Sequence, residues 1–293
     1  MPWDAQNAVA HQNGMEKTMS FSVNTNSGAL VALQYLNATQ SELTTTQNAI
    51  NSGLKVASAK DDGSTFAIAQ NQRGSVAGYS AVTDSLSRGS SAIDVALSAG
   101  QSISDLLIQL KTKALSASDS SLDTASRQAL NQDFVALRDQ IATIVNNAVF
   151  NGINLVDGST TQIAALASSD GTRRITTAAQ NMSLSGTIVT ITSTASISTQ
   201  TKASTLVATI QASLTNVNSA LAKLSAGAKK FSIQSTFTST LSDTLTTGIG
   251  QLVDANMAQE SAMLQSLQVK QQLGVQALSI ANQAPQTILS LFR

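Results

Sequence analysis

Residues 123–148 read DTASRQALNQDFVALRDQIATIVNNA. Leu130, Phe134, Leu137, Ile141, Ile144 and Ala148 step by four and three, which places them on one face of an α-helix. This is the cleanest amphipathic stripe in the chain, and it predicts a helix over about 123–148. On its N-terminal side, Ser118 to Ser121 interrupts the pattern, and a second helix is expected over about 64–117. Tyr79, Val82, Leu86, Ile93 and Leu97 share one face of it. Lys60-Asp61-Asp62-Gly63-Ser64 is a turn signal. Before it, Leu33, Leu36, Leu43, Ile50 and Leu54 recur at helical spacing. Leu36, Leu43 and Ile50 stand seven apart, the repeat of a coiled-coil seam.

On the C-terminal side the period changes. Phe150-Asn151-Gly152 and Asp157-Gly158 are turn signals, and strands are expected at 162–167, 174–178 and 187–192, with a Ser169-Asp170-Gly171 turn between the first two. Helical spacing resumes near Thr199 with Leu206, Ile210, Leu214, Val217, Leu221 and Leu224, and continues to Ile249. A last helix, about 254–291, carries Leu264, Leu267, Leu278, Ala281 and Ile288. The only prolines are Pro2 and Pro285, so nothing between them forces a break. The layout is palindromic. The expected fold is mainly α: long antiparallel helices in an elongated coiled-coil bundle, with a small β-hairpin-containing insert.

Composition narrows the function classes. Charged residues are 12% of the 293, about half the usual share, and the 17 basic and 17 acidic side chains cancel. That argues against nucleic acid, which demands a basic surface, and against a polybasic membrane-surface protein. No apolar run approaches a membrane span, and a Sec-type signal is not expected. With no Cys and one His, thiolate chemistry and Cys/His metal sites are excluded. A soluble monomer normally keeps its charge away from zero. Here about a quarter of the chain is Ser or Thr, so its polar surface is largely uncharged. Such a surface can be buried against another without stranding charges, and the chain reads as built to pack against something.

Catalytic constellations are missing. The single His11 lies in an atypical leader, residues 1–18, which is expected to be disordered. There is no phosphate loop and no zinc motif. Asp61 and Asp62 could hold a cation, but a capped turn is the better reading. Gly74 and Gly78 are either a close helix-crossing site or tolerated helix glycines. Arg173-Arg174 reads as a solvated hairpin face. No cofactor or metal is expected, and the chain is not expected to be an enzyme.

Four motifs carry a resemblance. Phe21-Ser22-Val23-Asn24-Thr25-Asn26 is similar to the I-N-T-N opening of bacterial flagellins. Residues 51–62, NSGLKVASAKDD, resemble the family's S-S-G-L-R-I-N-S-A-K-D-D. Residues 150–158, FNGINLVDG, resemble its F-N-G-x-x-L-L-D-G turn, and 281–293, ANQAPQTILSLFR, its C-terminal end.

The resemblance implies a structural subunit of the flagellar filament, self-assembling into a hollow helical propeller for swimming. It divides the chain into the leader, an N-terminal inner-tube helix (19–60), two halves of an outer-tube domain (61–158 and 199–250), a surface-exposed β-prone insert (159–198) and a C-terminal inner-tube helix (251–293). Leu33, Leu36, Leu43 and Ile50 are then expected to pack against Leu264, Leu267, Leu278 and Ile288 in the polymer. Asp61, Asp62, Asn151 and Gly152 mark the family's turns. Implied partners are further copies, paralogous flagellins, the flagellar export apparatus and its chaperone, the filament cap and hook-junction proteins, with no nucleic acid and no membrane. The implied location is the extracellular filament. The Ser/Thr-rich insert is the expected site of any O-linked sugar. A hook–filament junction protein of the same family is the alternative.

Overall fold

The computed structural model describes residues 25–290, with side chains to Gln283. The leader, the Phe21–Asn24 part of the opening motif and the Ile288 side chain lie outside that description. Five helices and two small antiparallel hairpins follow in the order α1 (Ser27–Ser52), α2 (Gly63–Ala117), α3 (Thr124–Asn147), β1 (Val149–Phe150), β2 (Ile153–Asn154), β3 (Gln162–Leu166), β4 (Arg174–Ala178), α4 (Gln200–Val253) and α5 (Met257–Ser290). The fold is mainly α, with the β structure confined to the segment between α3 and α4. The chain divides into two compact units, one of residues 1–66 with 253–293, the other of residues 67–252.

In the first unit α1 and α5 pair antiparallel. Asn26 Oδ1 accepts from Ala29 N at 3.0 Å and caps α1. Gly53, at φ 72°, ends it in the left-handed conformation that glycine adopts without a Cβ penalty. The helix thus stops at Ser52, short of the expected 60. The chain then pairs with the approach to α5 through a Leu54–Asp254 bridge and a bond from Ala255 N to Gly53 O at 2.9 Å. That pairing occupies Asp254 and Ala255, so α5 begins at Met257 rather than Asp254.

In the second unit α2 and α4 run antiparallel. Lys111 Nζ donates to Gln211 Oε1 at 2.6 Å, and Gly100 lies against Leu221. α3 follows α2 through a turn tied by Arg127, whose Nε donates to Ala117 O at 2.9 Å. Asp123 caps α3, accepting from Ser126 N at 2.7 Å. Of the α3 stripe, Phe134 and Ile141 are fully buried, in one core with Ile93, Leu107 and Phe231. The same face also buries Arg138, whose Nη1 donates to Ala195 O at 2.7 Å.

The hairpins confirm two expected turns. β1 and β2 pair Val149 with Asn154 and Phe150 with Ile153. Asn151 (φ 48°) and Gly152 (φ 80°) therefore form a two-residue turn with both φ positive, as a twisted hairpin demands. β3 and β4 pair from Gln162–Ala178 to Leu166–Arg174. This hairpin is held to both long helices. Leu166 N donates to Ser85 Oγ at 3.1 Å, and Gln234 Nε2 donates to Ala167 O at 3.4 Å. A Cβ on Gly78 would stand 2.7 Å from Ser169 O, so Gly78 is a close approach between helix and hairpin, whereas Gly74 has open space.

The third expected strand is absent. Residues 187–192 bury Val189 and Ile191 and expose Thr190 and Thr192, so the alternation is real. Their backbone folds back instead of joining a ladder. Ser185 N bonds Ile191 O at 2.8 Å, Gly186 N bonds Val189 O at 3.0 Å, and Ser185 sits at φ 64°. Period-two burial is satisfied here by an apolar loop plugging the core.

Candidate assembly interface

The α1–α5 pair is where the residues singled out from the sequence converge. Its register is set by three contacts. Asn26 Nδ2 donates to Ala281 O at 2.6 Å, Gln271 Nε2 donates to Gln40 Oε1 at 2.7 Å, and Leu36 Cδ1 lies 3.2 Å from where a Gly274 Cβ would be. That register sets Leu43 opposite Leu267, and these are the deepest apolar side chains of the two helices at 5% and 1% exposure. Leu36, Ile50, Leu264 and Leu278 are half-buried along the same seam.

Leu33 does not join them. It is 42% exposed, because the second row of the α1 seam is Ala32, Thr39 and Thr46, seven apart and alternating with the Leu36 row. Sequence reading missed that row since only its spacing, not its polarity, signals a seam. It also missed Gly274, where the absent Cβ makes room for Leu36. The seam is built from size complementarity, leucine opposite small residue, rather than leucine on leucine throughout.

Apolar side chains also face outward. Leu30, Val31, Leu33 and Tyr35 on α1, and Val269, Leu273, Val275 and Ile280 on α5, are all exposed, Tyr35 by 71% and Ile280 by 69%. The register places these two groups at the same end of the pair. A two-helix unit normally hides its apolar stripe between its helices and turns a polar face outward. This one has apolar groups on both, which is the condition of a surface meant for further packing.

Asp61 and Asp62 order the turn that opens α2. Asp61 Oδ2 accepts from Ser58 N at 2.9 Å and from Ala57 N at 3.2 Å. The Ser58 bonds hold its carboxyl below the usual range. Asp62 Oδ2 accepts from Thr65 Oγ1 at 2.5 Å, and Oδ1 accepts from Thr65 N at 3.1 Å and Ser64 N at 3.0 Å. The Thr65 hydroxyl, then the Thr65 and Ser64 donors, lower its pKa to about 2. These oxygens are taken up by N–H and O–H donors, which is a helix cap rather than a cation cage. Among the described residues no group of three or more His, Cys, Asp or Glu is placed to hold a metal, and no helix is long and apolar enough to cross a membrane.

Residues 23–161 match the bacterial flagellin N-terminal helical region, and residues 207–292 the bacterial flagellin C-terminal helical region. Between the two matches lie the β3–β4 hairpin and the loop that follows it. Flagellin FljK of Caulobacter vibrioides is 53% identical over 272 residues, spanning 93% of this chain and 98% of that protein. Flagellin FljM of the same organism is 52% identical over the same shares, and a flagellin of Brucella melitensis is 37% identical over 93% and 99%. The crystal structure of Bacillus cereus flagellin aligns over 53% of this chain and 88% of its own at a TM-score of 0.47 and 18% identity.

Proposed function

The chain belongs to the bacterial flagellin family, and from that membership we propose how its parts serve a flagellum. It is a structural subunit of the flagellar filament, a self-assembling extracellular propeller for swimming. The alternative of a hook–filament junction protein is not favoured, because the close relatives are named flagellins. The family is structural, and in our reading this chain has no catalytic role.

In the division of labour we propose, the α1–α5 pair lines the inner tube and the unit of residues 67–252 forms the outer tube. The insert around β3 and β4 faces outward and carries any O-linked sugar. Leu36, Leu43, Ile50, Leu264, Leu267, Leu278 and Ile288 hold the pair together in the polymer. Leu33 belongs instead to the outward surface that meets other copies. Export through the flagellar apparatus with a chaperone, growth under a cap, attachment to hook-junction proteins and co-assembly with paralogous flagellins complete the reading.

The observation that carries this proposal is the second set of apolar residues on the α1–α5 pair, outside its own seam. Leu30, Tyr35, Leu273 and Ile280 are left to water in a single copy. Electron microscopy of the purified protein after seeding is the direct test. Hollow filaments are the expected result, and a protein that stays monomeric with seeds present would refute it.

A further inference from the structure

Where β4 lies against α4 there is a groove of about 280 Å3. Thr176, Thr177 and Gln180 line it from the side of the hairpin, and Lys223, Gly227 and Lys230 from α4, with two alanines completing the wall. Its floor is the contact of Gly227 with Thr177. A Cβ on Gly227 would stand 2.3 Å from Thr177 Cγ2 and 2.6 Å from its Oγ1, so the threonine side chain sits directly over the glycine. Lys223 stands four residues before Gly227 and Lys230 three after it. On a helix those offsets bring both side chains to the face of the glycine, one turn to either side.

Three groups around this floor lack a partner among the described residues. Thr177 is 7% exposed, and its Oγ1 is buried without a hydrogen bond. An unpaired buried hydroxyl is costly, and folded proteins keep few of them. Lys223 and Lys230 make neither a hydrogen bond nor an ion pair, since the ion pairs among the described residues are Lys113–Asp133 and Arg138–Asp139. No carboxylate lines the groove. On α4 the acid that follows is Asp243, thirteen residues beyond Lys230 and about 20 Å along the helix. On β4 the charge is again positive, at Arg174, exposed three residues before Thr177. The Gln180 amide is taken up locally, its Nε2 donating to Ala179 O at 2.9 Å. The groove therefore holds two ammonium groups and one hydroxyl donor about a single point, with no anion of the chain to neutralise them.

We infer that this groove binds a phosphate group, free or as the phosphomonoester of a small molecule, whose oxygens accept from Lys223 Nζ, Lys230 Nζ and Thr177 Oγ1. Two ammonium groups match the charge of a phosphomonoester at neutral pH, about −1.5 to −2, where a carboxylate would offset only one of them. Hydrogen bonds from ammonium to an anionic oxygen are the stronger kind, and the Thr177 hydroxyl gains the acceptor it lacks. The volume lies just under the roughly 300–1,000 Å3 of small-molecule sites, which leaves room for a phosphate and a few further atoms. Both lysines are exposed, so solvent screens them and the affinity is modest. The site lies wholly within the second unit and does not depend on the filament reading.

Amide NMR of the full-length monomer reads the site directly. The protein is titrated with potassium phosphate at an ionic strength held constant with potassium chloride. Saturable shifts at the Thr177 and Gly227 amides are expected, with a midpoint of about 1 mM. Lys223→Gln/Lys230→Gln should raise that midpoint at least about tenfold, since both charge-assisted bonds are lost. Glutamine is a good helix former, so α4 is kept. Thr177→Val preserves the shape, removes a hydroxyl that nothing else bonds, and should raise the midpoint about threefold or more. Lys229→Gln is the control, because Lys229 lies two residues from Gly227, on the far side of the helix, and its loss should leave the midpoint in place. Glycerol 1-phosphate then identifies the source of the phosphate: a lower midpoint than inorganic phosphate assigns a phosphomonoester, and an equal or higher one assigns the free ion. Absence of a saturable shift up to about 50 mM would overturn the proposal. So would equal shifts with acetate or chloride alone, or a midpoint that the lysine pair variant or Thr177→Val leaves unchanged.

Discussion

Gly89 of α2 lies beneath the ring of Phe231 of α4, so close that an added Cβ would stand 2.3 Å from Cε1. Phe231 is fully buried, so the ring has no room to withdraw. Gly274 of α5 is the contrasting case. There a Cβ would meet only the flexible end of Leu36 at 3.2 Å. Gly89→Ala is expected to destabilise the second unit by about 1–3 kcal/mol through overpacking, outweighing the ~1 kcal/mol that alanine gains in a helix. Gly274→Ala is expected to keep or raise stability. Calorimetry on both variants checks this, and the reverse order would show that the Phe231 ring can yield to a Cβ on residue 89.

Arg138 is buried, and its Nη1 donates to Ala195 O at 2.7 Å, pinning the loop that plugs the core. Asn131 Oδ1 accepts from Ile197 N at 2.7 Å and fixes the same loop from the same helix. Arg138→Met keeps the aliphatic stem but leaves the Ala195 carbonyl without that donor, at a cost of about 1–3 kcal/mol. Hydrogen exchange should locate the loss in the loop, as faster exchange of the Ile197 amide with α2 little affected. Uniformly faster exchange across the unit would contradict a local role.

Asp62 gives a pH signature. Its folded pKa is lowered from 3.8 to about 2, chiefly by the Thr65 hydroxyl. A depressed carboxylate stabilises the fold above its unfolded pKa and loses that contribution as pH falls through the folded value. The cap is therefore expected to be intact above about pH 4 and to weaken towards pH 2, and in Asp62→Asn this dependence should vanish. An NMR titration of the Asp62 carboxyl is the measurement. A midpoint near 4 would show that the Thr65 and Ser64 bonds do not persist in solution.

The α1–α5 pair has a thin seam, with only Leu43, Thr46 and Ala49 buried on α1. Helices owe most of their stability to burying an apolar face, so this pair should open readily in a single copy. Limited proteolysis of the monomer is expected to remove the segments before α2 and after α4 while leaving the second unit whole. The polymer should resist. Equal resistance in both states would mean that the pair is stable by itself.

Leu278→Asp should prevent assembly and spare the second unit. Leu278 is half-buried on the seam, between Gly274 and Ala281, which meet Leu36 and Asn26 of α1, and Lys270 is two turns away. A carboxylate desolvated there without a cation costs several kcal/mol, roughly 3–5 in measured cases of broken pairs. Every subunit of a filament would carry that cost. Sedimentation and circular dichroism separate the outcomes: filaments of normal length would show that the seam tolerates charge, and a lost melting transition would show that the change reaches beyond the pair.

Much of this was legible in the residues alone. The α3 stripe from Leu130 to Ala148, the heptad of Leu36, Leu43 and Ile50, and the Asn151-Gly152 turn are local patterns, and local backbone preference with one apolar face decides them. Tertiary packing alone decided the rest. Leu33 and Leu36 are both leucines at helical spacing, yet Leu36 is half-buried against Gly274 while Leu33 is left exposed, because the second row of the seam is completed by alanine and threonine. Residues 187–192 alternate like a strand, yet the core takes them as a plug, since burial constrains side chains and leaves the backbone free to bond itself. Gly78 and Gly74 look alike in the chain, and only the hairpin lying on Gly78 tells them apart. The seam row, the plug and the notch depend on what stands opposite, and a sequence read one residue at a time does not contain that.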